Sequence, residues 1–118
     1  MYNSFREMPV WQNAFNLSID VFKITSTLPR SEDYGLTSQL RRSANSISAN
    51  IAEGFGRNTN KDKNQFYIIA RGSAFETQNH LLYGREVGYF DSVITESLLN
   101  RYNELVYELN KLIKSFKS

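Results

Sequence analysis

An apolar residue returns every four and then every three positions along separate stretches of this chain, which is the spacing of one face of an α-helix. Val10, Ala14, Leu17, Val21, Ile24 and Leu28 follow it first, flanked by Trp11, Phe15 and Phe22. Leu40, Ala44, Ile47 and Ile51 follow it next, and Leu98, Tyr102, Leu105, Leu109, Leu112 and Phe116 last. Pro9 suits a first helical position because its missing N–H is not needed there, and Pro29 stops the first helix. Gly54 and Gly56 are expected to end the second helix. Thr59 or Asn60 can cap the third, and the fourth starts after Asp91 or Ser92. The expectation is an all-α single domain over residues 1–118, with helices at about 9–28, 36–53, 62–88 and 92–116. No stretch alternates with the period of a strand. Short connections favour antiparallel neighbours, so an up-down-up-down four-helix bundle follows.

The third helix carries two patterns. Ile68, Phe75, Leu82 and Tyr89 recur every seven residues, while Phe66, Ala70, Ser73, Thr77, Leu81 and Gly84 fall on the opposite side. One face serves the core; the other needs a partner or must face water. Helix 2 reads SANSISANIA from Ser43 to Ala52 without a charge. A helix uncharged all round is usually covered all round. Asn45, Ala49 and Ala52 of helix 2 and Ile68, Phe75 and Leu82 of helix 3 are therefore the candidate interface of a homo-oligomer. The alternative is that the N-terminal arm or the helix 1–2 loop covers these backs. Gly72 adds a small residue inside helix 3, explained equally well by close approach of another helix or as an incidental, tolerated glycine.

Cysteine is absent, which excludes disulfides and thiolate metal sites. The first eight residues hold no apolar core of signal-peptide length. No run approaches the roughly 20 apolar residues of a membrane helix. A soluble, cytoplasmic protein with no membrane role is expected. Net charge is only +2, but basic residues gather in mid-chain: Arg41, Arg42, Arg57, Lys61, Lys63 and Arg71, against the acidic Glu53 and Asp62. These six are the candidate nucleic-acid contacts, the alternative being an ordinary solvated surface.

Catalytic patterns are missing. Gly54-Phe55-Gly56 lacks the following glycine and the Lys-Ser/Thr of a phosphate loop. His80 is the one histidine, so a nucleophile triad would depend on it alone. A carboxylate-bridged metal site in a bundle uses Glu-x-x-His pairs from two helices; here Glu76 and His80 stand four apart. An enzyme would need Glu53, Glu76 and His80 in one pocket. No metal, cofactor or catalytic residue is expected. Glu53 and Glu76 are assigned instead to structural ion pairs, Glu76 with Arg41 or Arg42, within or between subunits.

Several segments together resemble a known family: Val10-Trp11-Gln12, Tyr34-Gly35-Leu36, Ser38-Gln39-Leu40-Arg41-Arg42-Ser43-Ala44, Ser46-Ile47, Asn50-Ile51-Ala52-Glu53-Gly54, Arg57 and Ala70-Arg71-Gly72-Ser73-Ala74-Phe75-Glu76. They are similar to the four-helix bundle family of 23S rRNA intervening-sequence proteins over nearly the whole chain. The resemblance implies an antiparallel bundle assembled as a ring-like homopentamer of bacterial origin. A related branch, the accessory variability proteins of diversity-generating retroelements, resembles basic barrels that bind nucleic acid; this sequence is less basic. The combined expectation is a non-enzymatic oligomeric scaffold or adaptor that binds RNA or DNA through phosphates. The rival expectation is a protein-interaction module whose ring meets a protein partner and no nucleic acid.

Overall fold

The computed structural model describes residues 2–117; Met1 and Ser118, the ends of the unit expected over 1–118, lie outside the described residues. Four α-helices carry the fold: α1 (Pro9–Thr25), α2 (Leu36–Phe55), α3 (Asn60–Glu86) and α4 (Ser92–Ser115). Two 3₁₀ turns, Phe5–Glu7 and Arg30–Glu32, precede α1 and α2. There is no strand among the described residues.

The helix ends follow from particular side chains. Pro9 opens α1. α1 closes at Thr25, short of the expected Leu28, because Thr25 Oγ1 donates to the Val21 carbonyl (2.7 Å) and Ser26 Oγ to that of Phe22 (2.9 Å). These bonds satisfy terminal carbonyls, and the residue before Pro29 is disfavoured in a helix anyway. Thr59 Oγ1 accepts from the Asp62 N–H at 3.1 Å, and Asp91 Oδ2 from that of Ile94 at 3.0 Å, capping α3 and α4. α3 ends in a Schellman turn: Gly88 takes a φ of +90°, the Tyr89 N–H reaches the Gly84 carbonyl (2.8 Å) and the Gly88 N–H that of Arg85 (3.1 Å). Tyr89 therefore lies beyond α3 and does not continue its seven-residue row. Its hydroxyl donates to Glu32 Oε2 at 2.9 Å, and that bond pushes the phenol pKa up.

Gly54 overturns one expectation. It does not end α2, which continues to Phe55. It is buried, and a Cβ there would stand 2.6 Å from Tyr67 Cε1. Its role is to let α3 close on α2.

Each helix packs on its sequence neighbours, and α1 also meets α4; the backbones of α1 and α3, and those of α2 and α4, stay farther apart. The core runs down the middle: Ala14, Leu17 and Val21 of α1; Leu40, Ile47 and Ile51 of α2; Tyr67, Ala70 and Leu81 of α3; Tyr102, Leu105 and Leu109 of α4. Polar ties link the pairs. Arg41 Nε donates to Thr25 Oγ1 (2.9 Å), Thr77 Oγ1 to Ser43 Oγ (2.9 Å), and Ser46 and Ser73 share a hydroxyl bond of 3.1 Å. Arg71 meets Asn110 (2.8 Å), Gln78 meets Asn103 (2.9 Å), Arg101 meets Asp20 (2.7 Å) and Asn13 meets Glu108 (2.9 Å).

Tyr102 is fully buried and its hydroxyl has no partner among the described residues. Burial holds the phenol well above its usual pKa, so it stays neutral. A buried hydroxyl without a bond is costly, so Tyr102→Phe is expected to raise stability by about 1 kcal/mol. Urea unfolding measures this; a loss of stability would mean that the hydroxyl is hydrogen-bonded in solution.

Candidate nucleic-acid interface and assembly face

The six basic residues expected to form one patch do not sit together. α2 is one unbroken helix, and about 20 Å of it separates Arg42 from Phe55. Arg41 is turned to α1: besides Thr25 it reaches the Phe22 carbonyl (3.4 Å) and Ser26 Oγ (3.3 Å), with its guanidinium 4.1 Å from the Phe22 ring centroid. Arg71 is held by Asn110 on α4. Lys63 Nζ donates to the Phe55 carbonyl at 2.7 Å and that of Gly54 at 3.4 Å, closing the end of α2. These three are structural within the chain.

Arg57 in the α2–α3 turn and Lys61 at the start of α3 remain exposed, and Arg42 is exposed farther up α2. Arg57 pairs with Glu53 at 3.1 Å and lies 4.6 Å from the Phe66 ring. Both partners are about half exposed, so this pair is weak and open to competition. The same end of the bundle receives the end of α4. Lys61 and Lys117 line one hollow of about 430 Å³, together with Asn64, Gln65, Ile68 and Phe116. Lys114 is exposed one turn before Lys117. The sequence pointed to neither Lys114 nor Lys117, since nothing in the chain's order announces that the end of α4 meets Lys61.

Glu76 does not pair with Arg41 or Arg42 within the chain. Arg41 is committed to α1, and Glu76 Oε2 lies 3.3 Å from His80 Nε2 on its own helix. Glu53 sits at the other end of α2, next to Gly54, which packs on Tyr67; Glu76 is about 14 Å farther along α3. Glu53, Glu76 and His80 therefore share no pocket. His80 instead borders a hollow of about 410 Å³ with Glu32, Gln39, Asn79, Tyr83 and Tyr89. Among the described residues no three His, Cys, Asp or Glu side chains form a metal-binding group.

The second face of α3 is bare. Ile68, Phe75 and Leu82 are 46%, 52% and 38% exposed. The first turn and the α1–α2 connection leave them so, which removes the idea that these segments cover that row. Asn45 and Ala49 of α2 are exposed and Ala52 is half-buried. Gly72, midway along the α3 row, has open space where a Cβ would stand. Sequence reading missed a further apolar row on α1: Phe15, Ile19 and Phe22 are all exposed. The sequence places Phe15 and Phe22 only as flanks of the core stripe of α1.

No helix among the described residues is long and apolar enough to cross a membrane. Residues 6–111 match the family described as 23S rRNA-intervening sequence protein. A crystal structure from Bacteroides thetaiotaomicron, of a protein with unknown function from the S23 ribosomal protein family, is similar in fold. It gives a TM-score of 0.83 at 24% sequence identity, covering 89% of this chain and 98% of that one. No curated protein matches significantly.

Proposed function

The chain belongs to the 23S rRNA-intervening sequence protein family, and from that premise we propose that it is a non-enzymatic, cytoplasmic scaffold that assembles with copies of itself and binds RNA or DNA through phosphates. The observation that carries the nucleic-acid half is the meeting of Lys61 and Lys117 in one hollow, with Arg57 and Lys114 nearby. Four cations at one end of the bundle, drawn from the α2–α3 turn, the start of α3 and the end of α4, make a phosphate-binding surface that net charge conceals. Arg42 forms a separate contact point.

The assembly half rests on the bare apolar rows. The interhelix ties support an antiparallel, up-down-up-down order: Ser43 meets Thr77 while Ser46 meets Ser73, and Arg71 meets Asn110 while Gln78 meets Asn103. α1 and α3 then occupy opposite corners, and each carries its own exposed apolar row. Two different adhesive faces on opposite sides of a subunit favour head-to-tail contacts, which give a ring when the rotation between subunits closes. The homopentamer implied by the family resemblance is such a ring. Repetition around it would turn a weak single-subunit phosphate site into an avid one.

Phosphate binding predicts affinity that falls steeply with salt and little sequence preference. Arg57→Glu with Lys61→Glu is expected to weaken oligonucleotide binding at least about tenfold at moderate salt and to lower the salt slope by about two per engaged subunit. Fluorescence anisotropy across a salt series measures both. Binding that does not respond to these charges would overturn the proposal in favour of the protein-interaction reading.

A further inference from the structure

We infer that the hollow between the start of α3 and the end of α4 receives one nucleotide of a single-stranded nucleic acid, base inward and phosphate against the lysines. The inference rests on the nucleic-acid reading above and specifies what that surface recognises. Its walls are chemically divided. Lys61 and Lys117 are exposed at the mouth, while Ile68 and Phe116 give an apolar wall. Lysine binds phosphate as a point charge. An aromatic ring beside it accepts a stacked base of any identity.

The floor of the hollow is fixed. Asn64 lines it, and its Nδ2 donates to the Ile113 carbonyl at 3.0 Å, which ties the start of α3 to the end of α4. Gln65, next in sequence and exposed, offers both a donor and an acceptor to a base edge. At about 430 Å³ the hollow has room for one nucleotide.

A duplex keeps its bases stacked and paired, so only an unpaired strand can enter. The hollow lies at the edge of the bare α3 row, since Ile68 belongs to both; in an assembled ring it would open beside the subunit boundary.

The test uses the full chain in its native assembly. Anisotropy is measured with a labelled single-stranded RNA, a duplex of the same length, and adenosine monophosphate as competitor. Phe116→Leu keeps an apolar group against Tyr67, whose ring centroid lies 5.8 Å away, but removes the aromatic stack. Gln65→Ala is a surface change that spares folding. Expected are preference for the single strand, a loss of about tenfold for that strand in Phe116→Leu, a smaller loss in Gln65→Ala, and unchanged duplex binding in both. Equal losses on strand and duplex, or no loss on the strand, overturn the inference while leaving the phosphate surface standing. Adenosine monophosphate competing as strongly as the strand overturns the strand assignment in favour of a free nucleotide. Absence of any nucleic-acid binding removes the reading on which it rests.

Discussion

In the proposed assembly, replacing Phe75 with glutamate is expected to release single subunits while leaving the helical bundle folded. Phe75 is 52% exposed in the subunit and sits in the row with Ile68 and Leu82, away from the buried Ala74 and Thr77. A surface change of this kind normally alters folding stability by no more than about 0.5 kcal/mol. In an assembly, burying such a side chain contributes about 1.5–3 kcal/mol at each contact, and a charge in its place reverses the sign. A ring multiplies that loss by its number of contacts. Light scattering on a sizing column reads the mass and circular dichroism the fold. Phe75→Leu should keep the assembly. An unchanged mass in Phe75→Glu would remove the α3 row from the interface. Loss of helix without a folded smaller species would mean that the faces are misassigned or that the subunit cannot stand alone.

The second large effect concerns two glycines inside helices, which should respond in opposite directions. At Gly54 a Cβ would lie 2.6 Å from Tyr67 Cε1, 3.0 Å from Tyr67 Cδ1 and 3.1 Å from the Lys63 carbonyl oxygen. Tyr67 is buried among α2, α3 and α4 residues, and Lys63 O is backbone, so neither can yield cheaply. Gly54→Ala should cost about 1–3 kcal/mol through overpacking, after setting aside the roughly 1 kcal/mol that alanine gains in helix propensity. At Gly72 nothing stands within 4 Å of the added carbon. Gly72→Ala should therefore stabilise an isolated subunit by about 1 kcal/mol. If a partner helix seats on that notch, the same change will weaken assembly. Denaturant midpoints, taken on the Phe75→Glu background for the subunit and on the parent for the assembly, separate the two effects. Stabilisation by Gly54→Ala would show that α3 does not press on α2 as described.

The four helices were legible because their core residues repeat at three and four, and helical periodicity survives any tertiary arrangement. The caps of α3 and α4 were legible to within one residue, and the structure chooses Thr59 over Asn60 and Asp91 over Ser92. The end of α1 was not: Thr25, a polar residue, is buried there with its hydroxyl turned onto its own helix, so Ile24 and Leu28 took its place in the apparent row. Gly54 misled because a glycine that makes room for a neighbouring helix is spelled the same way as one that ends its own. The bare row of α3 could be read from Ile68, Phe75 and Leu82, since an excess of apolar residues over what one core face can use shows in order alone. The basic surface could not. Arg41, Lys63 and Arg71 found partners on other segments, and Lys117 joined Lys61 only because α4 returns beside the start of α3.

Each helix rests on the next one in sequence, and only the contact of α1 with α4 spans the whole chain. Topologies dominated by such local contacts reach their native state in microseconds to milliseconds. The subunit would then be complete long before it meets a sibling, because encounter depends on concentration. Ring formation in a dilute cell would be governed by collision, and newly made subunits would circulate for a time with their α1 and α3 rows uncovered. That interval is when aggregation would compete with assembly, and dose of the protein, more than its sequence, would decide between them.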